Sequence, residues 1–135
     1  MGEGLILDTS FLIDLEREAG AGFHGPAREF LEGQGDRRLL TTFTATGEIA
    51  AGIPPEKQQA WDSFLAKFQV LPWSPKISWH YGQTHRYLRS VGLLIGANDL
   101  WIAATALAYE APLVTSDLRH YARVPGLIVR SYRDG

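Results

Sequence analysis

Short apolar runs alternate along the chain with longer segments that repeat apolar side chains at helical spacing. Residues 4–7 form an apolar run that stops at Asp8, a pattern typical of a strand buried on both faces. The same pattern predicts four further strands, at residues 38–41, 69–71, 112–115 and 127–130.

Helices are predicted between these strands, and glycine and proline mark several of their ends. The predicted ranges are residues 11–17, 26–32, 43–51, 56–67, 77–91 and 98–109. Pro26 suits the first turn of the second helix. In the fifth helix we expect Trp79, Tyr87 and Leu88 to enter the core. The helix over residues 98–109 is rich in alanine, which allows close packing on a sheet.

This alternation predicts an α/β fold with a central, mainly parallel sheet of about five strands flanked by helices. The chain has 135 residues, enough to bury a sizeable core, and shows no internal repeat or linker. A single domain is therefore predicted over residues 1–135. Hydrophobic residues make up 45% and charged residues 21%, which is typical of a soluble globular protein rather than a disordered one.

The composition also excludes several classes of function. The chain has no cysteine, so disulfides, thiolate metal sites and a cysteine nucleophile are excluded. No apolar run reaches the roughly 18 residues of a membrane span, and a basic signal-peptide start is missing, so we expect a cytoplasmic protein without membrane association. The net charge of −2 is unlike that of a protein that only grips nucleic acid.

Four carboxylates border the predicted apolar segments. Asp8 directly follows the first strand, and Asp117 comes two residues after the fourth. Ligands of open α/β sheets bind outside the carboxyl ends of the strands, which is where these two acids lie. Glu48 and Asp99 lie in helices that we expect to begin from the same edge of the sheet. The four acids are therefore candidates for one site.

A purely structural interpretation is considered for each acid. Asp8 or Asp117 could cap a helix, and Asp99 could complement a helix dipole. Glu48 does not complete a capping box, because the residue three positions earlier is Ala45. The structural interpretation is favoured for each aspartate taken singly, but four acids bordered by apolar segments fit a capping role less well.

If the four carboxylates converge, they need a cation. Two carboxylates about 4 Å apart repel by roughly 4 kcal/mol at an effective dielectric constant near 20. Such a group either raises the pKa of its members or binds a positive ion. Hard oxygen ligands select Mg²⁺ or Mn²⁺, and the ion could activate a water and offset the charge on a phosphodiester.

Four blocks of the chain resemble the PIN-domain family of ribonucleases. They are Leu-Ile-Leu-Asp-Thr-Ser-Phe-Leu-Ile at residues 5–13, Thr-Gly-Glu-Ile-Ala-Ala-Gly at 46–52, Asn-Asp-Leu-Trp-Ile-Ala-Ala-Thr-Ala at 98–106 and Leu-Val-Thr-Ser-Asp at 113–117. Residues 118–129 also resemble the family's usual ending. Each block alone is a weak signal, but four in order at family-like spacing are a strong one. The chain length is similar to that of VapC toxins.

The resemblance implies a Mg²⁺- or Mn²⁺-dependent endoribonuclease that acts as the toxin of a VapBC-type toxin–antitoxin system and hydrolyses RNA. It also implies a homodimer and a VapB-like antitoxin whose tail covers the active site. Asp8, Glu48, Asp99 and Asp117 would be the catalytic metal ligands or orient the water, with Thr115 as a supporting hydroxyl. Two alternatives remain: a stand-alone PIN-domain nuclease of RNA processing, and a PIN-like module that binds RNA or a partner without cutting.

Two other signals carry less weight. Residues 20–25 match the dinucleotide-binding fingerprint Gly-x-Gly-x-x-Gly, but they follow a predicted helix instead of a strand, so we expect a loop between two helices. His24, His80, His85 and His120 are scattered along the chain, and we expect no histidine metal site.

Overall fold

Five strands form one parallel sheet in the computed structural model, which describes residues 4–133. The strands are β1 (Leu5–Leu7), β2 (Leu39–Thr42), β3 (Gln69–Leu71), β4 (Leu113–Thr115) and β5 (Val129–Ser131). Their order across the sheet is β3-β2-β1-β4-β5, and every neighbouring pair is parallel. The predicted α/β fold is confirmed, and only β5 begins two residues later than the sequence pattern indicates.

Helices fill the connections between the strands. They are α1 (Thr9–Ala21), α2 (Pro26–Glu32), α3 (Phe43–Ala50), α4 (Gln58–Leu65), α5 (Pro75–Ser90), α6 (Ala97–Tyr109) and α7 (Leu118–Tyr121), with a 3₁₀ turn at Pro55–Lys57 before α4. The sequence did not predict α7, because a four-residue helix is too short to show a periodic pattern. Over residues 4–133, no helix combines the length and the apolar character that a membrane crossing requires.

β1 lies at the centre of the sheet, and the chain adds its later strands first on one side of β1 and then on the other. From β1 the chain adds β2 and β3 on one side, and then β4 and β5 on the other. A crevice forms at such a switch point outside the carboxyl ends of the two diverging strands. Here those strands are β1 and β4, which end just before Asp8 and Asp117. The fold therefore brings these two acids to one crevice.

The core is built on β1 and on the small residues of α6. All three residues of β1 are fully buried, as a central strand covered on both faces requires. Ala103, Ala104 and Ala106 of α6 are buried as expected, and α5 packs against α6. Short side chains let the backbone of α6 approach its neighbours closely, which holds the first turn of α6 at the edge of the crevice.

The expected core positions of α5 are only partly correct. Leu88 is fully buried, but Trp79 is 65% exposed and Tyr87 is 47% exposed. The buried face of α5 is set by Ile77, Thr84 and Leu88. Successive residues are about 100° apart around a helix, so Trp79 points to the side opposite Ile77. Aromatic character alone did not distinguish the two faces of α5.

A buried glutamate organises the turn between α1 and α2. The Glu18 carboxylate accepts backbone N–H bonds from Gly25 at 3.1 Å, Ala27 at 2.9 Å and Arg28 at 3.0 Å. It thereby satisfies the free N–H groups at the start of α2. A Cβ atom at Gly25 would lie 2.4 Å from Cδ of Glu18, so the close approach requires glycine. The glycine-rich stretch is thus a turn between two helices, as predicted.

Candidate active site

Asp8 directly follows the last residue of β1, and it is almost fully buried. Oδ2 of Asp8 accepts a 2.7 Å hydrogen bond from the Thr115 hydroxyl and a 3.4 Å hydrogen bond from the Ser10 hydroxyl. Asp8 occupies the N-cap position of α1, yet its carboxylate accepts no capping hydrogen bond. The capping interpretation therefore does not explain this buried carboxylate.

Thr115 joins Asp8 to Asp117. Its hydroxyl donates to Asp8 and accepts the backbone N–H of Asp117 at 3.0 Å. Thr115 is the last residue of β4 and is fully buried, so its side chain is held by the sheet itself. The residue that the sequence singled out as a supporting hydroxyl thus lies at the junction of β1 and β4.

Tyr121 joins Asp8 to Asp99. Its hydroxyl lies 3.3 Å from Oδ1 of Asp8 and 3.3 Å from Oδ1 of Asp99, and donates toward both. Burial raises the pKa of Tyr121 far above its usual range, and the two carboxylates raise it further, so the side chain stays a neutral donor. Sequence reasoning missed this residue, because it follows Asp117 on a helix that the sequence pattern did not reveal.

Both carboxylate oxygens of Glu48 are held by hydrogen-bond donors. The Thr9 hydroxyl donates to Oε1 at 2.6 Å, and the Asn98 side chain donates to Oε2 at 3.1 Å. Thr9 begins α1 and Asn98 lies in the first turn of α6, so Glu48 ties α3 to both helices. The sequence did not single out Thr9 or Asn98 as site residues, although each is the neighbour of a candidate acid.

Asp117 has two roles in the structure. Its Oδ1 accepts the backbone N–H of His120 at 3.3 Å and so caps α7, which agrees with the structural interpretation of this residue. Its Oδ2 lies 2.7 Å from Nδ1 of His120. Ligand atoms of Asp99, Asp117 and His120 all lie within 4.8 Å of one another. We expected no histidine metal site from the scattered histidines, and His120 nevertheless lies beside two of the predicted acids.

The pKa values of two acids reflect the crowding of negative charge. Burial raises the pKa of Asp8, and the nearby Asp99 raises it further, against the hydrogen bonds from Thr115 and Tyr121. Burial also raises the pKa of Asp99, together with the charges of Glu48 and Asp117. The structure therefore brings the four predicted acids into one electrostatically coupled group.

The carboxylate oxygens of these four acids are suitable ligands for a divalent cation. Carboxylate oxygens are the ligands that hard divalent ions prefer, and a positive ion would offset the repulsion that raises the pKa of Asp8 and Asp99. Glu48 and Asp117 are more exposed than Asp8, which leaves the group open to solvent on one side. An ion and a phosphodiester could both reach it from that side.

Comparison with known proteins gives consistent results. The family model of the PIN domain matches residues 5–127. Ribonuclease VapC2 of Rickettsia felis is 36% identical over 90 residues, which cover 63% of this chain and 67% of the relative. Ribonuclease VapC1 of Methanocaldococcus jannaschii is 30% identical over 129 residues, covering 95% of this chain and 86% of the relative. The crystal structure of VapBC2 from Rickettsia felis bound to a promoter DNA fragment contains a similar chain, with a TM-score of 0.81, 27% identity and coverage of 95% and 98%.

Proposed function

The chain belongs to the PIN domain family, and on that premise we propose that it is a Mg²⁺- or Mn²⁺-dependent endoribonuclease, the toxin of a VapBC-type toxin–antitoxin pair. One observation carries the proposal: near the ends of β1 and β4, the charges of Glu48 and Asp117 act on Asp99, and the charge of Asp99 acts on Asp8. Relatives named ribonuclease VapC support the activity, and one of them aligns over nearly the whole chain. A similar chain in a VapBC complex supports the antitoxin partner.

In this proposal Asp8, Glu48, Asp99 and Asp117 hold the divalent ion. When bound, the ion would act as a Lewis acid and lower the pKa of a coordinated water. The chain's own hydrogen bonds orient the carboxylates. Thr115 and Tyr121 each donate to a different oxygen of Asp8, which fixes the plane of that carboxylate. Such supporting contacts set the geometry of a metal site as much as its ligands do.

A candidate cation for binding RNA lies on α7. Arg119 is exposed on α7, beside His120. Arg123 follows α7, but its guanidinium donates to the carbonyls of Leu93 and Leu94, so it supports the loop before α6. With a net charge of −2, the chain relies on the bound ion and local cations to attract the phosphodiester.

We also propose that the protein forms a homodimer and binds a VapB-like antitoxin that blocks cleavage. The family resemblance carries both statements. The mass of the purified protein in solution tests the first, because a monomer at micromolar concentration would contradict it. Co-purification with the product of a neighbouring short reading frame tests the second. A protein that cleaves RNA but has no such partner would be a stand-alone processing nuclease instead.

The decisive experiment is cleavage of a mixed cellular RNA pool by the purified protein. We expect discrete products with Mg²⁺ or Mn²⁺, none with EDTA, and recovery when the metal is restored. Asp8→Asn and Asp99→Asn should abolish cleavage while keeping the fold, because each removes a charged ligand. Asp62→Asn, on an exposed position of α4, is the matched control and should cleave normally.

Three results would contradict the proposal. Cleavage that survives complete chelation would exclude a metal mechanism. Full activity of both Asp8→Asn and Asp99→Asn would show that these two acids do not belong to the active site. Absence of cleavage by a folded, antitoxin-free protein with every metal would instead favour a PIN-like module that binds RNA or a partner without cutting.

A further inference from the structure

One candidate metal ligand at the crevice differs chemically from the acids. His120 offers a ring nitrogen where its neighbours offer carboxylate oxygens. An imidazole nitrogen is a softer ligand than a carboxylate oxygen, and Mg²⁺ is held almost entirely through oxygen. The identity of this ligand would therefore affect which ion the site selects. The inference below rests on the proposed function, because it concerns the ion of that same site.

The spacing of the three groups fits a shared ion. Nδ1 of His120 lies 2.7 Å from Oδ2 of Asp117, and the ligand atoms of Asp99, Asp117 and His120 lie within 4.8 Å of one another. Two ligands about 2.1 Å from an octahedral ion are about 3 Å apart when adjacent and about 4.2 Å apart when opposite. Small side-chain rotations would therefore place all three atoms around one ion.

The local structure holds His120 in this position. Its backbone N–H donates to Oδ1 of Asp117, which fixes the first turn of α7. The next residue, Tyr121, is buried and anchors α7 to the carboxylates of Asp8 and Asp99. The His120 side chain is 45% exposed, so an ion from solvent can reach its ring.

We propose that His120 is a nitrogen ligand of the metal site, which therefore binds Mn²⁺ in preference to Mg²⁺. His120 joins the four acids of the proposed site, and oxygens of Asp99 and Asp117 lie within 4.8 Å of its ring nitrogen. The same ring nitrogen and Asp117 share a hydrogen bond. An imidazole binds an ion only through an unprotonated nitrogen, so a bound ion would take the place of this hydrogen bond.

The competing role for His120 is to position Asp117 through that hydrogen bond without touching the ion. The two roles differ in a spectroscopic signature. A directly bound imidazole couples its ¹⁴N nucleus to the electron spin of Mn²⁺, which pulsed electron paramagnetic resonance detects. If His120 only positions Asp117, this coupling is not observed.

The experiment compares the unaltered protein with His120→Gln and His24→Gln. Glutamine keeps a hydrogen-bonding side chain beside Asp117 but removes the ring nitrogen. His24 lies in the turn between α1 and α2, where it contacts Glu32, and serves as the control. We expect ¹⁴N coupling in the unaltered protein and in His24→Gln, and its loss in His120→Gln. Calorimetry should show that His120→Gln weakens Mn²⁺ binding by about 10-fold or more, and Mg²⁺ binding by clearly less.

Two outcomes would overturn the inference while leaving the nuclease proposal intact. One is Mn²⁺ bound by the unaltered protein without ¹⁴N coupling. The other is an equal loss of Mn²⁺ and Mg²⁺ affinity in His120→Gln, which a positioning role would produce. Failure of the proposed function looks different: the unaltered protein would bind neither ion, and Asp8→Asn would leave RNA cleavage unchanged.

Discussion

The Thr115 hydroxyl donates a 2.7 Å hydrogen bond to the carboxylate of Asp8, across the junction between β4 and β1. The two residues are 107 positions apart in the chain, and parallel pairing of the two strands brings them together. The same hydroxyl accepts the backbone N–H of Asp117. One threonine therefore sets the positions of two acids of the site.

Replacing Thr115 by valine should slow RNA cleavage about 10- to 100-fold without unfolding the protein. Valine keeps the shape of the side chain but removes both hydrogen bonds, so Asp8 and Asp117 lose their common support. Loss of a partner that orients a metal ligand typically has an effect of this size. Cleavage rates at saturating metal measure it. Thr105→Val is the control, because the Thr105 hydroxyl is also buried but donates to the Trp101 carbonyl of its own helix. Equal rates for both variants would contradict the assigned role of Thr115.

Tyr121→Phe should weaken metal binding and cleavage by about 10- to 100-fold. The change removes a neutral donor that lies 3.3 Å from both Asp8 and Asp99, so each carboxylate loses a hydrogen bond while the ring still fills the core. Metal affinity by calorimetry and cleavage rate are measured together. Tyr87→Phe, on the exposed face of α5, should match the unaltered protein. Unchanged metal affinity in Tyr121→Phe would show that the hydroxyl does not support these carboxylates.

In the absence of metal, Asp8→Asn should be more stable than the unaltered protein, and increasingly so as the pH rises. Burial, and then the charge of Asp99, raise the pKa of Asp8 in the folded protein. Between the unfolded-state pKa near 4 and that raised value, the folded protein holds a proton that the unfolded chain has released. Stability of the unaltered protein therefore falls through this window as the pH rises, and below the window both states are protonated. Asparagine does not titrate, so it avoids the loss.

Thermal melts in EDTA from acidic to neutral pH measure this difference. Adding Mg²⁺ or Mn²⁺ at neutral pH is the control, because an ion that binds the folded state stabilises the unaltered protein and should shrink or reverse the advantage of Asp8→Asn. A stability difference that does not change with pH would contradict the raised pKa of Asp8.

Glu18→Ala should lower the free energy of unfolding by about 1–3 kcal/mol. The change leaves the N–H groups of Gly25, Ala27 and Arg28 without their carboxylate acceptor at the start of α2. Cleavage per folded molecule should remain normal, because Glu18 lies away from the crevice. Chemical denaturation measures the loss. Glu16→Ala, an exposed position of the same helix, should have little effect on stability. A loss as large for Glu16→Ala as for Glu18→Ala would contradict the capping role.

The local pattern of the chain was enough to predict most of the fold. The apolar run before Asp8 predicted β1, because a central strand is buried on both faces and shows it in consecutive residues. Pro26 marked the start of α2, because proline suits a first helical turn and fits few other helical positions. Trp79 was misplaced, because the burial of one face of α5 depends on what packs against it.

The sequence by itself determined the type of fold and four carboxylates that follow strands or lie in helices, because both depend on neighbouring residues and on the resemblance of local blocks. Only the tertiary structure decided which other side chains join them. Tyr121 reaches Asp8 across 113 positions of the chain, and His120 meets the acids only because α7 forms after Asp117. Such contacts arise from the order of the strands at the crevice and from one short helix. Neither feature produces a periodic pattern in the sequence, so neither could be predicted from it.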